Sequence, residues 1–413
     1  MSSQELSPQE PILKGLPPKL RNSIYSTVDS LGMLLSVRNP KVAASIAPSA
    51  VRGLLLGGGR KGSATMAASH AAYFDLSYEG EMPEMYELYR RAVENQWNGD
   101  RDLDWSLSVD PEDPDCPLIP LEYLPFEQLE AKGVRLTPKE KLRMAHDWTA
   151  WSLAQFTHGE QGALYAAAQV TESVQWLDAK LYGATQVMDE GRHVEVFLRY
   201  LDTKLQKVYV INDNLFVILD DLLTDGRWDI KFLGMQIMVE GLALGAFSNM
   251  YNFTREPLLK NLLKYVIQDE ARHVHYGVLA LREHITKNLS DAERREREDW
   301  AYEVALLMRN RFLARELYYD WFEHKLSLKD WDEVILGAPS MAAFRQIMFK
   351  RLIPNLEYIG LMSERIKPMY AKAGLTDFLG GKNATQLSGE DLIRDNDTIG
   401  AGHGKQSPEK ALQ

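Results

Sequence analysis

The chain repeats itself internally, without a gap. Asp189-Glu190-Gly191-Arg192-His193-Val194 falls on Asp269-Glu270-Ala271-Arg272-His273-Val274, and at the same offset Glu160 falls on Glu240. Ala163, Leu164 and Ala166 fall on Ala243, Leu244 and Ala246; Lys180 falls on Lys260, whereas the following Leu181 and Asn261 differ. A solenoid requires more copies, but two copies of a helix pair make a four-helix bundle with pseudo-twofold symmetry. The repeat therefore predicts an all-α fold. Thr137-Pro138-Lys139-Glu140 has the form of a capping box with proline at the first helical position. No further proline occurs up to Leu205, and strand-like alternation is almost absent.

Spacing decides what the repeat can do. Glu190 and His193 are three positions apart and project from one helix face, as do Glu270 and His273. Each pair has a partner glutamate upstream at one and the same separation, Glu160 before Glu190 and Glu240 before Glu270. With a turn near Val174 to Trp176, Glu160 and Glu190 each lie about 15 residues, or roughly 22 Å, from it. Antiparallel packing then sets them at one height, and a turn around Arg255 to Pro257 does the same for the second pair. Two such hairpins gather four carboxylates and two imidazoles at one level of the core. One glutamate from each of two helices and one Glu-x-x-His from each of the other two is a carboxylate-bridged dimetal set. These donors suit iron and manganese, and four glutamates balance two divalent ions. Without metal, four buried carboxylates would have to take up protons. Asp189 and Asp269 are candidates to accept a hydrogen bond from a ligand histidine's outer nitrogen, and Arg192 and Arg272 to pair with those aspartates. His158 and His275 stand two positions from Glu160 and His273, about 200° round the helix, and point away.

The rest of the chain fits around this unit. Residues 1–65 form an N-terminal segment, 66–135 a helix (about Met82 to Gln96) and a proline-rich connector, and 136–290 the bundle. Residues 291–379 supply further helices, with Ser290 to Glu323 as one and Ala342 to Ala373 as one or two more. Residues 380–413, rich in Gly, Ser, Asn and Asp, read as a disordered tail. The formal net charge of −11 argues against nucleic acid as a partner. The single cysteine, Cys116, excludes an intramolecular disulfide and the usual zinc clusters. No run of about 18 apolar residues and no signal-peptide pattern is present, so the expected location is the cytoplasm.

The doubled Asp-Glu-x-Arg-His, within Leu136 to Leu281, resembles the oxygenase branch of the ferritin-like superfamily. That branch includes the catalytic subunits of bacterial multicomponent monooxygenases, the CoA-ester epoxidases and the ribonucleotide reductase small subunits. The resemblance implies a ferritin-like four-helix bundle with additional flanking helices. It implies Glu160, Glu190 and His193 for one iron, Glu240, Glu270 and His273 for the other, with mixed manganese and iron also possible. The activity it implies is dioxygen-dependent oxidation of a small organic substrate, on a chain able to form a homodimer. Three positions depart from the branch. Phe197 stands where reductase small subunits place a radical tyrosine, and Val266 where arylamine oxygenases add a histidine. Leu244 replaces a threonine usual in multicomponent hydroxylases. The chain has no flavin or nicotinamide fingerprint and too few cysteines for an iron–sulfur cluster, so electrons are expected from a separate reductase or ferredoxin. The alternatives are a ferroxidase or iron-handling protein, and a non-catalytic helical scaffold.

Overall fold

The computed structural model describes residues 16–376 and 378–393, and no strand occurs among them. The helices run, in chain order, α1 Pro18–Ser36, α2 Pro40–Ala50, α3 Pro83–Glu94, α4 Phe126–Ala131, α5 Pro138–Ser173, α6 Leu177–Tyr200 and α7 Asp213–Thr224. They continue with α8 Trp228–Phe253, α9 Pro257–Glu283, α10 Asp291–Arg311, α11 Arg315–Trp321, α12 Leu328–Gly337, α13 Pro339–Tyr358 and α14 Lys367–Lys372. The architecture is a helical bundle of ferritin-like form, with α5, α6, α8 and α9 at its centre.

Local chemistry sets the ends of these helices. Thr137 accepts from the Glu140 amide and Glu140 reaches back to the Thr137 amide, closing the expected capping box on α5. Val174 turns extended and ends α5, and α6 starts one residue after Trp176. Glu256 caps α9, accepting from the amides of Leu258 and Leu259, with Pro257 at the first helical position. Its carboxylate also accepts from the Tyr200 hydroxyl at 2.7 Å. The open end of the first hairpin therefore meets the turn of the second, and the two hairpins run head to tail. The Tyr276 hydroxyl donates to the Ala179 carbonyl at 2.8 Å at the opposite end.

By length and composition α8 is apolar enough to cross a membrane, but nearly all of its most apolar stretch is buried inside the bundle. It is the core helix. Seven of its residues, Leu233–Val239, widen into a π-helical turn just before Glu240. On its outer side α8 meets α13 closely: a Cβ on Gly245 would stand 2.7 Å from the Met348 Cα, so only glycine permits this approach. On the other flank α2 packs against α7, and Arg52 of the following turn pairs with Asp220.

Two expectations need correction. Ser290 to Glu323 is not one helix: α10 stops at Arg311, three short-range backbone bonds tighten Phe312 to Ala314, and Ala314 is left-handed (φ 47°). The chain from Gly380 is not disordered throughout. Residues up to Ile393 are placed, with the Ala384 amide donating to Asn355 Oδ1 at 2.8 Å and Leu392 and Ile393 buried. A few apolar side chains in a polar stretch suffice to dock it. Residues 1–15 and the tail beyond Ile393 lie outside the described residues.

Candidate metal centre

Each half of the bundle delivers its glutamates and histidine to one level because α5/α6 and α8/α9 turn midway between paired positions. Glu160, Glu190, His193, Glu240, Glu270 and His273 are all buried there. The donor atoms of Glu160, Glu190, His193 and Glu270 lie within 4.8 Å of one another, as do those of Glu190, Glu240 and His273. His193 Nδ1 is 3.4 Å from Glu160 and from Glu190, and 3.3 Å from Glu270. His273 Nδ1 is 3.1 Å from Glu190 and 3.4 Å from Glu270. Glu160, Glu190 and His193 thus share one group, as the family resemblance implied, but Glu270 joins them, and Glu190 completes the group of Glu240 and His273. Glu190 and Glu270 sit between both histidines, and Glu160 and Glu240 lie at the two sides.

The aspartates cross over. His193 Nε2 lies 3.1 Å from Asp269 Oδ2, and His273 Nε2 lies 3.3 Å from Asp189 Oδ2. Each aspartate serves the histidine of the other repeat. A carboxylate at Nε2 fixes the proton on that nitrogen and leaves the Nδ1 lone pair facing inward. Arg192 pairs with Asp189 and Arg272 with Asp269, so this outer ring is neutral by itself, two negative groups against two positive.

Four further residues belong to the site. Trp97 donates its indole N–H to Asp269 at 2.7 Å, and Gln96 donates to Asp189 at 3.0 Å while accepting from Arg192 at 2.7 Å. Gln186 donates to Glu240 at 2.9 Å and to Glu190 at 3.1 Å, and accepts from Gln236 at 3.4 Å. Gln186 and Gln236 each stand one helical turn before a site glutamate, a spacing that could have marked them. Gln96 and Trp97 join from a distant part of the chain; the Gln-Trp-Asn that they open resembles the approach to the bundle in the oxygenase branch, but no spacing ties them to the ligands. His158 instead faces the Tyr209 carbonyl at 2.9 Å, away from the cluster.

Electrostatics agree with a site made for cations. Burial, with Glu270 behind it, holds Glu160 well above the ordinary carboxylate range, and Glu240 likewise. Burial also pushes Glu190 up, but His273 and His193 outweigh it and leave this carboxyl well below its usual value. Burial opposes the charged form of His193, yet Asp269 and the surrounding glutamates hold its pKa well above normal. In His273, burial is likewise outweighed, chiefly by Glu190. Without metal the cluster therefore holds protons. Buried atoms lacking any hydrogen-bond partner concentrate here: Oε2 of Glu190, Oε2 of Glu240, both oxygens of Glu270, and Nδ1 of both histidines. Buried polar atoms ordinarily find partners. Six inward-facing orphans of carboxylate and imidazole type fit two metal ions.

The apolar side chains near the ligands in sequence are mostly core. Met188 is exposed, whereas Met235, Met238, Phe197 and Phe247 are solid core. Gly162 faces Leu219 side-chain atoms and Gly245 the α13 backbone, so these small residues serve helix packing. A partly open cavity lies instead between α5, α8, the end of α10 and the start of α13. Phe156, one turn before Glu160, is in its wall. No protein-family model and no curated protein sequence matches this chain.

Proposed function

We propose that this protein is an oxidoreductase that uses two iron ions and dioxygen to oxidise an organic substrate, with electrons from a separate reductase or ferredoxin. The observation that carries this reading is the convergence of six buried, unpartnered donor atoms on two overlapping groups of ligands. Bound iron would supply the redox chemistry and the electrophilic activation of dioxygen. In balance, dioxygen, two electrons, two protons and the substrate give a substrate with one added oxygen, and water.

The chain's own groups set the conditions for that chemistry. Asp189 and Asp269 hold the imidazoles in one tautomer and orientation. Gln186 fixes one oxygen of Glu190 and one of Glu240. Phe156, Phe197 and Phe247 form an aromatic cluster with centroids 4.6 to 6.0 Å apart and exclude water from one end of the site. The adjoining cavity is lined mainly by apolar and aromatic side chains, as organic-ligand pockets are, which favours substrate oxidation over iron storage.

The test is metal content after iron loading, followed by the dioxygen consumed when anaerobically reduced protein is mixed with O2. About two irons per chain and about one O2 per two irons are expected. A protein that binds no metal ends this reading, and uptake of many irons per chain would make it a storage protein.

A further inference from the structure

Arg311, the last residue of α10, has no counter-charge among the described residues. Its side chain is buried, with 5% of the residue exposed, and its Nε has no hydrogen-bond partner. Its one hydrogen-bond contact is from an Nη to Met308 Sδ at 3.8 Å, a weak acceptor, and its guanidinium carbon lies 4.9 Å from the Phe312 ring centroid. Burial alone acts on its titration, drawing it down to about 10, so it stays a cation at neutral pH. The other two described arginines buried to this degree are both paired, Arg192 with Asp189 and Arg297 with Asp229. A buried unpaired charge is costly. Arginine at a helix C-terminus can be explained by the last carbonyls, but Arg311 bonds none of them. It lines the cavity described above.

The remaining wall is largely aromatic, with Trp148, Trp151, Phe253 and Phe344 among its residues. Three of its polar residues are engaged elsewhere: Gln155 bonds the Val210 carbonyl and the Asn212 amide, Thr149 the Ala145 carbonyl, and the Trp151 indole Glu316, while Ser152, Asn249 and Ser340 also line the wall. The cavity follows α5 from Trp148 to Phe156, about 12 Å at helical rise. At Phe156 it reaches the aromatic cluster beside the metal centre.

We infer that this cavity binds an apolar organic monocarboxylate, its carboxylate held by Arg311 and its body lying along the aromatic wall toward Phe156. The inference rests on the dimetal reading only in making that ligand the substrate. A guanidinium meets a carboxylate with two parallel hydrogen bonds. One cation balances one carboxylate, whereas a phosphate monoester would bring nearly twice the charge into an apolar chamber.

The experiment uses iron-loaded protein and three acids, octanoate, dodecanoate and 4-phenylbutyrate, each against the alcohol of the same skeleton. Binding is read by calorimetry and by tryptophan fluorescence, since Trp148 and Trp151 line the cavity. At least one acid is expected to bind the wild type roughly tenfold or more tightly than its alcohol, as befits a hydrogen bond to a charged group. Arg311→Met should abolish that preference and Arg311→Lys retain part of it. Arg311→Met should also melt no lower than wild type, because it removes a buried charge that has no counter-ion. No binding of any acid, equal affinity for acid and alcohol, or a preference that survives in Arg311→Met overturns the inference. If Arg311→Met does not fold, the wild-type comparison and Arg311→Lys decide it. Binding is read without turnover and iron content without ligand, so the two readings fail separately. Selective acid binding by a protein that never consumes O2 would sink the dimetal reading alone, and O2 consumption without acid binding would sink this one alone.

Discussion

The two ends of the candidate metal centre are related by the sequence repeat, yet they are built from opposite chemistry. At one end lie Phe156 and Val266, one turn from Glu160 and Glu270, with Phe197 and Phe247 beside them. The repeat maps Phe156 onto Gln236, Val266 onto Gln186, Phe197 onto Gly277 and Phe247 onto Ala167. At the second end Gln186 bonds two site glutamates and Gln236 bonds Gln186. Gly277 is required there, because a Cβ would stand 2.5 Å from the Gln236 Cβ. The backbone differs too: α8 widens into a π turn before Glu240, while α5 is regular through the matching stretch. The ligands and their Asp/Arg partners kept the symmetry, and the flanking turns lost it. A symmetric centre thereby acquires a direction: a polar end that fixes carboxylates and an aromatic end that adjoins a cavity.

Breaking the ligand symmetry should have the largest effect. Glu190 belongs to both groups of donors and Glu160 to one. Glu190→Ala is expected to abolish binding of both irons, and Glu160→Ala to leave about one per chain, as measured by elemental analysis. Wild-type metal content in Glu190→Ala would refute the shared-carboxylate arrangement.

The crossed aspartates give the next largest effect. Asp269→Asn should weaken metal at the site holding His193, in the other repeat, by about 10- to 100-fold in a chelator competition. If the site holding His273 weakens instead, the crossing is wrong.

Gln186→Val makes the polar end match Val266 at the other. It strips one hydrogen bond each from Glu190 and Glu240, and should lower the stability of metal-free protein by about 1–3 kcal/mol in denaturant unfolding. No change would mean that the glutamines only fill space.

The most gradual test varies pH. Glu160, Glu240, His193 and His273 have pKa values above those of the unfolded chain, about 4.3 for Glu and 6.5 for His. Their protonated forms stabilise metal-free protein fully below those values, and the benefit is lost as pH rises through the folded ones. Glu190 and Asp269 are shifted down and stay ionised from pH 5 to 8, so they add nothing to the slope. Other buried groups that titrate in this window, such as Asp221 at about 6 and Glu303 at about 7, are common to both forms and cancel. The gap in Tm between iron-loaded and metal-free protein is therefore expected to widen from pH 5 to 8. A gap that narrows would show that the cluster does not exchange protons for metal.

How much of this could be read in advance follows from the reach of helix periodicity. The two equal glutamate-to-glutamate spacings and the doubled Asp-Glu-x-Arg-His are one-dimensional facts, and the constant rise of a helix turns them into a common height in an antiparallel pair. The bundle, the gathering of Glu160, Glu190, His193, Glu240, Glu270 and His273, and the turns at Val174 and Glu256 were all legible that way. The break at Ala314 and the docked segment after Gly380 were not, because each depends on contacts made by a few residues against distant helices.

By itself the sequence determined that two like helix hairpins must share a core and bring their acids and imidazoles to one level. Tertiary structure alone decided that Asp189 serves His273 and Asp269 serves His193, that Trp97 and Gln96 close the ring, and that Arg311 faces a cavity without a carboxylate. The reason is physical. Spacing along a helix fixes height and face, but which groups meet across a bundle depends on how the hairpins pack, and a missing partner shows only once every neighbour is in place.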